Sequence, residues 1–241
     1  MRIIIIRHGE PDYAKDSLTE NGFKEAHALS KRLLKEKIDY VYISPLGRAK
    51  DTAKEYLKQS QKQFMVLDWL KEFPYKIEDE ESHLPRIPWD FKVEYFTSKE
   101  EMYDNSRYLE LPLFKNSEVY EGYHYVIENL DKLLEKHGYV RHGKYYEVTH
   151  SNKDTLVFFC HLGLESVLLS HLFNLPFVAI AQHFAPAPSS VSILYTEERK
   201  PKVAQFRAQC LGDLSHLYQE KIEPSFMGRF RENDFDDTRS D

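Results

Sequence analysis

The chain is poor in cysteine and carries no excess of positive charge. Among its 241 residues only Cys160 and Cys210 are cysteines, and the formal net charge is -6. A secreted domain held by disulfides has more cysteines, so we expect two free thiols in a reducing compartment, with Cys160 packed as a small apolar side chain. Proteins that bind duplex nucleic acid usually carry a basic excess, so we expect no nucleic-acid partner.

Long apolar runs and common metal-binding motifs are also missing. No stretch reaches the roughly 18 apolar residues of a membrane span, and the start, MRIIIIRH, has too short an apolar run for a signal peptide. We therefore expect a cytoplasmic protein with no membrane partner. There is no HExxH and no paired CxxC, and His150, His161 and His171 are scattered, so we expect no metal and no cofactor. The acidic run IEDEES is interpreted as a solvated loop, with a metal site as the alternative.

Apolar runs and amphipathic stretches alternate in the first third of the chain. RIIII is apolar on both faces, which is typical of a strand buried in a parallel sheet. YVYISP and FMVLDWL predict two more strands, while apolar spacing predicts helices over 20–37 and in LGRAKDTAKEYLK. This order indicates an α/β fold, a three-layer sandwich with a mostly parallel central sheet and helices on both faces.

The pattern changes beyond Glu72. Residues from about 74 to 120 show no clear hydrophobic period. Two later segments predict helices, EVYEGYHYVIENLDKLLEKHG and GLESVLLSHLF. A hairpin is predicted for KYYEVTHSNKDTLVFFC, and strands are predicted for SVSILYT and KVAQFRAQ. We interpret 1–226 as a single domain with a cap insertion at about 74–150, and 227–241 as a frayed tail. The aromatic residues of the insertion either form a small core of their own or line the pocket that it covers. The oligomeric state is left open.

Cationic and imidazole side chains follow three of the predicted strands. Arg7 and His8 end the first, Ser44 and Arg48 follow the second, and His161 follows TLVFFC. Ligands of parallel sheets bind at the carboxyl ends of the strands, and glycines close to both histidines allow a tight turn. Helices begin just after two of these ends and offer N–H donors. The sequence therefore predicts a site for a dianion, most simply a phosphoryl group.

These motifs resemble those of the histidine phosphatase superfamily, which includes the cofactor-dependent phosphoglycerate mutases. The resemblance is carried by RHGE after the first strand, LTENG and SPLGRAKDTA at two helix starts, LKEF, and CHLG late in the chain. It covers about 1–73 and 154–198. It implies a metal-independent phosphatase that acts on a small phosphorylated substrate.

The resemblance also implies roles for the residues at the strand ends. His8 is the expected nucleophile, which forms a phosphohistidine, while Arg7, Arg48 and His161 bind the phosphoryl oxygens, with Gly9 and Ser44 beside them. A neutral imidazole, with an ordinary pKa of about 6.5, is a fair nucleophile near neutral pH. One ring nitrogen must be free, so the other should donate to a backbone carbonyl.

Glu72, in WLKEF, matches the acid position of the family. It is expected to protonate the leaving oxygen and then to activate water, and together with His8 and His161 it forms the expected catalytic set. Its pKa should be raised, with Trp69 and Phe73 excluding water and the arginines opposing the rise. Other acids remain alternatives: Glu78, Asp79, Glu80 and Glu81.

Two departures from the family pattern weaken the mutase alternative most. Ala14 stands where many members carry a phosphate-binding asparagine, and Leu162 separates the late histidine from Gly163. The insertion also lacks a dense arginine cluster for a second anionic group. Hydrolysis is therefore the leading hypothesis; a phosphoglycerate mutase and a noncatalytic phospho-ligand-binding protein are the alternatives.

Overall fold

The computed structural model describes residues 1–78, 83–115 and 117–227. The alternative acids Asp79, Glu80 and Glu81 lie outside the described residues, as does all of the expected tail beyond Met227. In the part of the chain that the structure describes, no helix is both long enough and apolar enough to cross a membrane. The cytoplasmic location stays a prediction.

Strands and helices alternate through most of the chain. The strands are β1 Arg2–Arg7, β2 Pro11–Asp12, β3 Ser17–Leu18, β4 Tyr40–Ile43, β5 Met65–Val66, β6 Ile77–Glu78, β7 Pro85–Arg86, β8 Tyr139–His142, β9 Tyr145–Val148, β10 Thr155–Cys160, β11 Val191–Lys200 and β12 Val203–Asp213. The helices are α1 Glu20–Leu33, α2 Gly47–Ser60, α3 Val93–Thr97, α4 Glu118–Lys136, α5 Leu162–Phe173, α6 Phe177–His183 and α7 Ser215–Glu220. Short 3-10 turns occur at Asp68–Leu70, Glu100–Tyr103 and Tyr108–Glu110.

Eight strands form one central sheet in the order β5-β4-β10-β1-β11-β12-β9-β8. The first four run parallel to one another, with Ile4 beside Val157 and Phe159 beside Ile43. From β1 onward the pairings are antiparallel. The sheet is therefore parallel at its core, as predicted, and antiparallel in its other half.

Alternate residues of β1 face two different hydrophobic clusters. Ile4 and Ile6 pack in the cluster that contains the apolar residues of α1 and α2. Ile3 and Ile5 pack in the cluster that contains those of α4, α5 and α6. Because successive side chains of a strand point to opposite faces, helices cover both sides of the sheet. The predicted three-layer α/β sandwich is confirmed.

The third strand is shorter than the sequence predicted. Of the predicted FMVLDWL, only Met65–Val66 forms a strand, and Asp68–Leu70 forms a 3-10 turn that buries Trp69 and Leu70. β5 is the edge of the sheet, and Met65 and Val66 are exposed there. An apolar run at a short edge strand has the same composition as a buried strand, so composition did not separate the two.

The predicted hairpin over residues 144–160 is wrong. The hairpin is formed by β8 and β9, joined at Gly143, whose φ is +59°. Thr155–Cys160 is instead a central strand between β1 and β4, and all six of its residues are buried. A run that is apolar on both faces suits this position, because helices cover both sides of it.

The inserted segment packs against the main core instead of forming a core of its own. Phe91 and Phe96 belong to the same cluster as the α4–α6 face of the sheet. The ring of Phe96 lies 5.7 Å from that of His183 on α6, and the Gln182 amide donates to the Phe91 carbonyl oxygen at 3.0 Å. The β8–β9 hairpin, at the end of the predicted insertion, extends the central sheet.

Candidate active site

The adjacent carboxyl ends of β4, β10 and β1 bring the predicted residues together. Arg7 ends β1, Ser44 follows β4, His161 follows β10, and Arg48 lies in the first turn of α2. The rings of His8 and His161 are 5.1 Å apart between centroids. The exposed fractions of Arg7 and His8 are only 3% and 2%, so both side chains meet a ligand in a nearly dry environment.

Two backbone hydrogen bonds and one hydrogen bond of its ring hold His8 in place. Its N–H donates to the Cys160 carbonyl at 3.0 Å, and its carbonyl accepts from the Ser189 N–H at 2.9 Å. The ring Nδ1 lies 2.8 Å from the Gly9 carbonyl oxygen. A carbonyl only accepts, so Nδ1 carries the proton and Nε2 keeps its lone pair. Burial, then the charge of Arg7, lowers the pKa of His8 to about 3, so the ring is neutral near pH 7.

Gly9 allows the loop after β1 to pack closely on α1. A Cβ at Gly9 would lie 2.9 Å from the Gly22 carbonyl oxygen and 3.3 Å from a Glu25 carboxylate oxygen. The Gly9 N–H donates to Thr52 Oγ1 at 2.9 Å, and that hydroxyl donates to the Arg48 carbonyl at 2.7 Å. The loop that carries His8 and Gly9 thus packs against both α1 and α2.

The two arginines are oriented by different acceptors. Arg7 Nη1 donates to the Pro186 carbonyl at 2.6 Å. Arg48 Nη1 donates to Asp16 Oδ1 at 2.8 Å, and Asp16 Oδ2 accepts from the Gly47 N–H at 2.6 Å. Asp16 therefore holds both the side chain of Arg48 and the start of its helix.

His161 is fully buried and neutral. Its Nε2 lies 2.7 Å from Ser44 Oγ, which accepts from the Leu46 N–H at 3.2 Å. The Ser44 hydroxyl can therefore give its proton to Nε2, which puts the ring proton of His161 on Nδ1. That buried Nδ1 has no hydrogen-bond partner among the described residues. Burial, followed by His8 and Arg48, holds the pKa of His161 well below its ordinary value.

The Glu72 carboxyl group lies at the start of α5. Its Oε1 accepts from the Phe73 N–H at 2.8 Å and from the Leu164 N–H at 3.1 Å. Burial raises the pKa of Glu72, although these N–H groups and the charges of Arg7 and Arg48 act in the opposite direction.

Trp89 of the inserted segment reaches the same place. A Cβ at Gly163 would lie 2.5 Å from Trp89 Cη2 and 2.8 Å from Glu72 Oε1. The Trp89 ring and the Glu72 carboxyl group therefore both lie beside Gly163, the residue of this helix turn that has no side chain. The sequence had suggested Trp69 and Phe73 as the residues that exclude water from Glu72; the indole next to Glu72 is that of Trp89.

The alternative acid that lies within the described residues has a different environment. Glu78 is exposed on β6, and its Oε1 is 2.9 Å from His83 Nδ1. Over residues 1–78, 83–115 and 117–227, no three His, Cys, Asp or Glu side chains are grouped so that they could hold a metal ion.

Residues 3–101 match the family model of the histidine phosphatase superfamily, branch 1. This part of the chain is therefore similar to the histidine phosphatase superfamily. The match supports the predicted enzyme class, a phosphatase of the histidine type. A comparison with curated proteins finds no match.

Solved phosphatase structures share the fold along nearly the whole chain. A variant of the phosphoserine phosphatase of Entamoeba histolytica, in complex with phosphoserine, is 16% identical with a TM-score of 0.61, over 90% of this chain and 98% of that one. The mycobacterial glucosyl-3-phosphoglycerate phosphatase is 17% identical with a TM-score of 0.58, over 88% and 98%. At these identities the likeness shows the fold alone.

Several residues of this candidate site were missed by the sequence analysis. Ala14, where many members carry asparagine, is exposed in a turn, and the nearby Asp16 binds Arg48 instead. Thr52 lies within the quoted motif SPLGRAKDTA, so its spacing from Arg48 could have indicated it. Nothing in the local sequence marks Pro186, because it reaches the site from a distant segment. Trp89 is one of the aromatic residues of the insertion, for which lining the pocket was one of two alternatives.

Proposed function

We propose that the protein hydrolyses phosphomonoesters through a phosphohistidine formed on His8. The observation that carries the proposal is the hydrogen bond from Nδ1 of His8 to the Gly9 carbonyl. It leaves a neutral imidazole with a free Nε2 lone pair close to the His161 ring, at the strand ends that also carry Arg7 and Arg48. Nε2 attacks phosphorus as the bond to the ester oxygen breaks, and the leaving oxygen departs on the opposite side.

The phosphoryl oxygens are bound by Arg7, Arg48 and His161. The guanidinium groups supply charge-assisted hydrogen bonds, which are stronger in a site from which water is excluded. His161, held by Ser44, offers the Nδ1–H that no described residue accepts. A dianion is the ligand that satisfies this set of donors.

Glu72 supplies the proton in the first step and removes one in the second. In its protonated form it gives the proton to the leaving oxygen, which becomes an alcohol. The resulting carboxylate then takes a proton from water as the water oxygen attacks phosphorus, which frees His8 and releases inorganic phosphate. The raised pKa of Glu72 favours the protonated starting form.

The arginines of the insertion favour hydrolysis over mutase chemistry. Arg107 pairs with Glu101 at 2.7 Å, and Arg141 donates to Asn174 Oδ1 at 2.5 Å and lies over the ring of Tyr146. These side chains are engaged within the chain, whereas a mutase needs cations for a second anionic group of its substrate. The known ligands of the neighbours, phosphoserine and 3-phosphoglyceric acid, support a small phosphorylated substrate.

We further propose that residues 1–226 act as one domain in which the insertion covers the pocket. The contact of Trp89 with Gly163 and Glu72 supports this, since it places an aromatic ring of the insertion beside the acid. Residues 139–148 belong to the central sheet, so the covering part is limited to the segment before α4.

The test is hydrolysis of p-nitrophenyl phosphate with excess chelator. We expect turnover by the wild type and a loss of about a thousandfold or more in His8→Ala. The control is His150→Ala, an exposed histidine in the segment before β10, which should keep the wild-type rate. Quenching with denaturant at alkaline pH should trap a phosphoenzyme in the wild type alone, and later acidification should release its phosphate. A wild-type rate in His8→Ala would show that the nucleophile is another residue.

A further inference from the structure

A second cavity lies on the other side of the loop that holds Arg7. Its volume is about 340 Å³, and it is lined by α5, by the segment 183–187, and by the facing residues of β11 and β12. Its wall includes apolar side chains such as Leu169, Leu211 and Leu214. Pro186 lines this cavity and also accepts the hydrogen bond from Arg7, so the cavity and the phosphoryl site share a wall.

Glu165 is the acidic side chain of this cavity. It lies in the first turn of α5, its exposed fraction is 2%, and neither carboxylate oxygen accepts a well-formed hydrogen bond from a described residue, the Ser192 hydroxyl being the donor nearby. Burying a carboxylate that lacks a full set of donors is costly in free energy. Native proteins therefore rarely leave such a group unsatisfied unless a ligand, ion or water completes it.

We propose that this cavity binds a small organic cation, whose ammonium or guanidinium N–H groups donate to Glu165 while its apolar body packs on the leucine side chains. A carboxylate only accepts, so it selects a donor, and burial favours a donor that also carries a positive charge. The cavity is large enough for a ring or a short aliphatic chain, and the exposed His183, Phe184 and Ala185 form its mouth.

The groups that face Glu165 determine how the affinity of the cavity for a cation varies with pH. They are Arg7 on β1, Cys160 on β10, Ser192 on β11 and His183 at the end of α6. Burial raises the pKa of Glu165 to about 7, while Ser192 and Arg7 act to lower it. The carboxylate that a cation needs is thus formed as the pH rises through neutrality.

Calorimetric titration with benzylammonium and with its neutral analogue benzyl alcohol tests the proposal. We expect the wild type to bind the ammonium at least about tenfold more tightly than the alcohol, and about tenfold more tightly near pH 8 than near pH 6. In Glu165→Gln the preference for the ammonium should disappear. The matched control is Glu25→Gln, which removes another buried carboxyl group outside the cavity and should bind as the wild type does.

A variant that keeps the acid separates binding from folding. Ala187→Phe fills the cavity and retains Glu165, so it should bind neither compound, and thermal unfolding should show that both variants are folded. Equal affinity for the ammonium and the alcohol, unchanged binding in Glu165→Gln, or no binding by the wild type would each overturn the proposal.

Discussion

Three side chains of the candidate site, those of His8, Arg7 and Glu72, are oriented by backbone groups. A carbonyl fixes the tautomer of His8, another carbonyl orients Arg7, and two N–H groups hold Glu72. Backbone partners do not depend on the identity of the residues that supply them, so sequence comparison does not reveal them. The side chains were predictable from motifs, whereas what orients them was not.

At this scale Glu72→Gln separates two kinds of ester. A glutamine cannot donate a carboxyl proton, so hydrolysis of alkyl phosphates should fall by roughly a hundredfold or more. The loss on p-nitrophenyl phosphate should be far smaller, because its leaving group hardly needs a proton. The comparison of kcat/KM for the two substrates in wild type and variant measures the difference.

Glu78→Gln is the control for this experiment. Glu78 is exposed on β6 and pairs with His83, so its substitution should leave both rates within about twofold of the wild type. Equal losses on both esters in Glu72→Gln would assign the proton donor to another group.

At the scale of elements, the sequence predicted β1, β4, α1, α2, α4 and α5 and the meeting of three strand ends. These elements have strong periodicity or are apolar throughout. The pairing of β10 was not predictable, because TLVFFC fits a hairpin as well as a central strand until its neighbours are known. The role of the loop 184–190 was not predictable either, because it depends on a hydrogen bond with Arg7, which is distant in the sequence.

Gly163→Ala tests the close approach at the start of α5. Alanine is the better helix former by about 1 kcal/mol, so the free energy of unfolding should hardly fall. The added Cβ would meet Trp89 at 2.5 Å and Glu72 Oε1 at 2.8 Å, so both must move. We expect kcat/KM to drop about tenfold or more, since misplacing a catalytic group by about 1 Å has large effects.

Circular dichroism on heating and steady-state kinetics measure the two effects of Gly163→Ala. A variant with unchanged kcat/KM would contradict the placement of Glu72 beside this helix. A variant with a much lower melting temperature would show that the clash spreads into the core.

At the scale of the whole molecule, buried carboxyl groups tie stability to pH. Glu25 is fully buried, and desolvation raises its pKa to about 7 against an ordinary value of 4.5. The unfolded chain therefore loses this proton at a lower pH than the folded chain. Stability falls as the pH rises from the unfolded value through the folded one, and the penalty is complete above about pH 7.

Glu25→Gln should remove this penalty. Glutamine imitates the protonated acid and can still accept the Glu10 N–H, which Glu25 Oε2 does now at 2.7 Å. Near pH 8 the free energy of unfolding of the variant should exceed that of the wild type by up to a few kcal/mol, so the variant should unfold at a higher temperature. Most of this gain should vanish near pH 5. Thermal unfolding across this range measures it; a gain that does not vary with pH would contradict the mechanism.

The two tryptophans provide an intrinsic fluorescence signal that can report on the candidate active site. Trp69 lies in the core with its ring 6.1 Å from that of Phe158, far from solvent exchange. The Trp89 ring and the Glu72 carboxyl group instead lie on the same side of Gly163. If Glu72 transfers protons as proposed, emission from Trp89 should respond to phosphate analogues, while Trp69 gives a constant background. Steady-state fluorescence of the unlabelled protein can therefore report occupancy of the site.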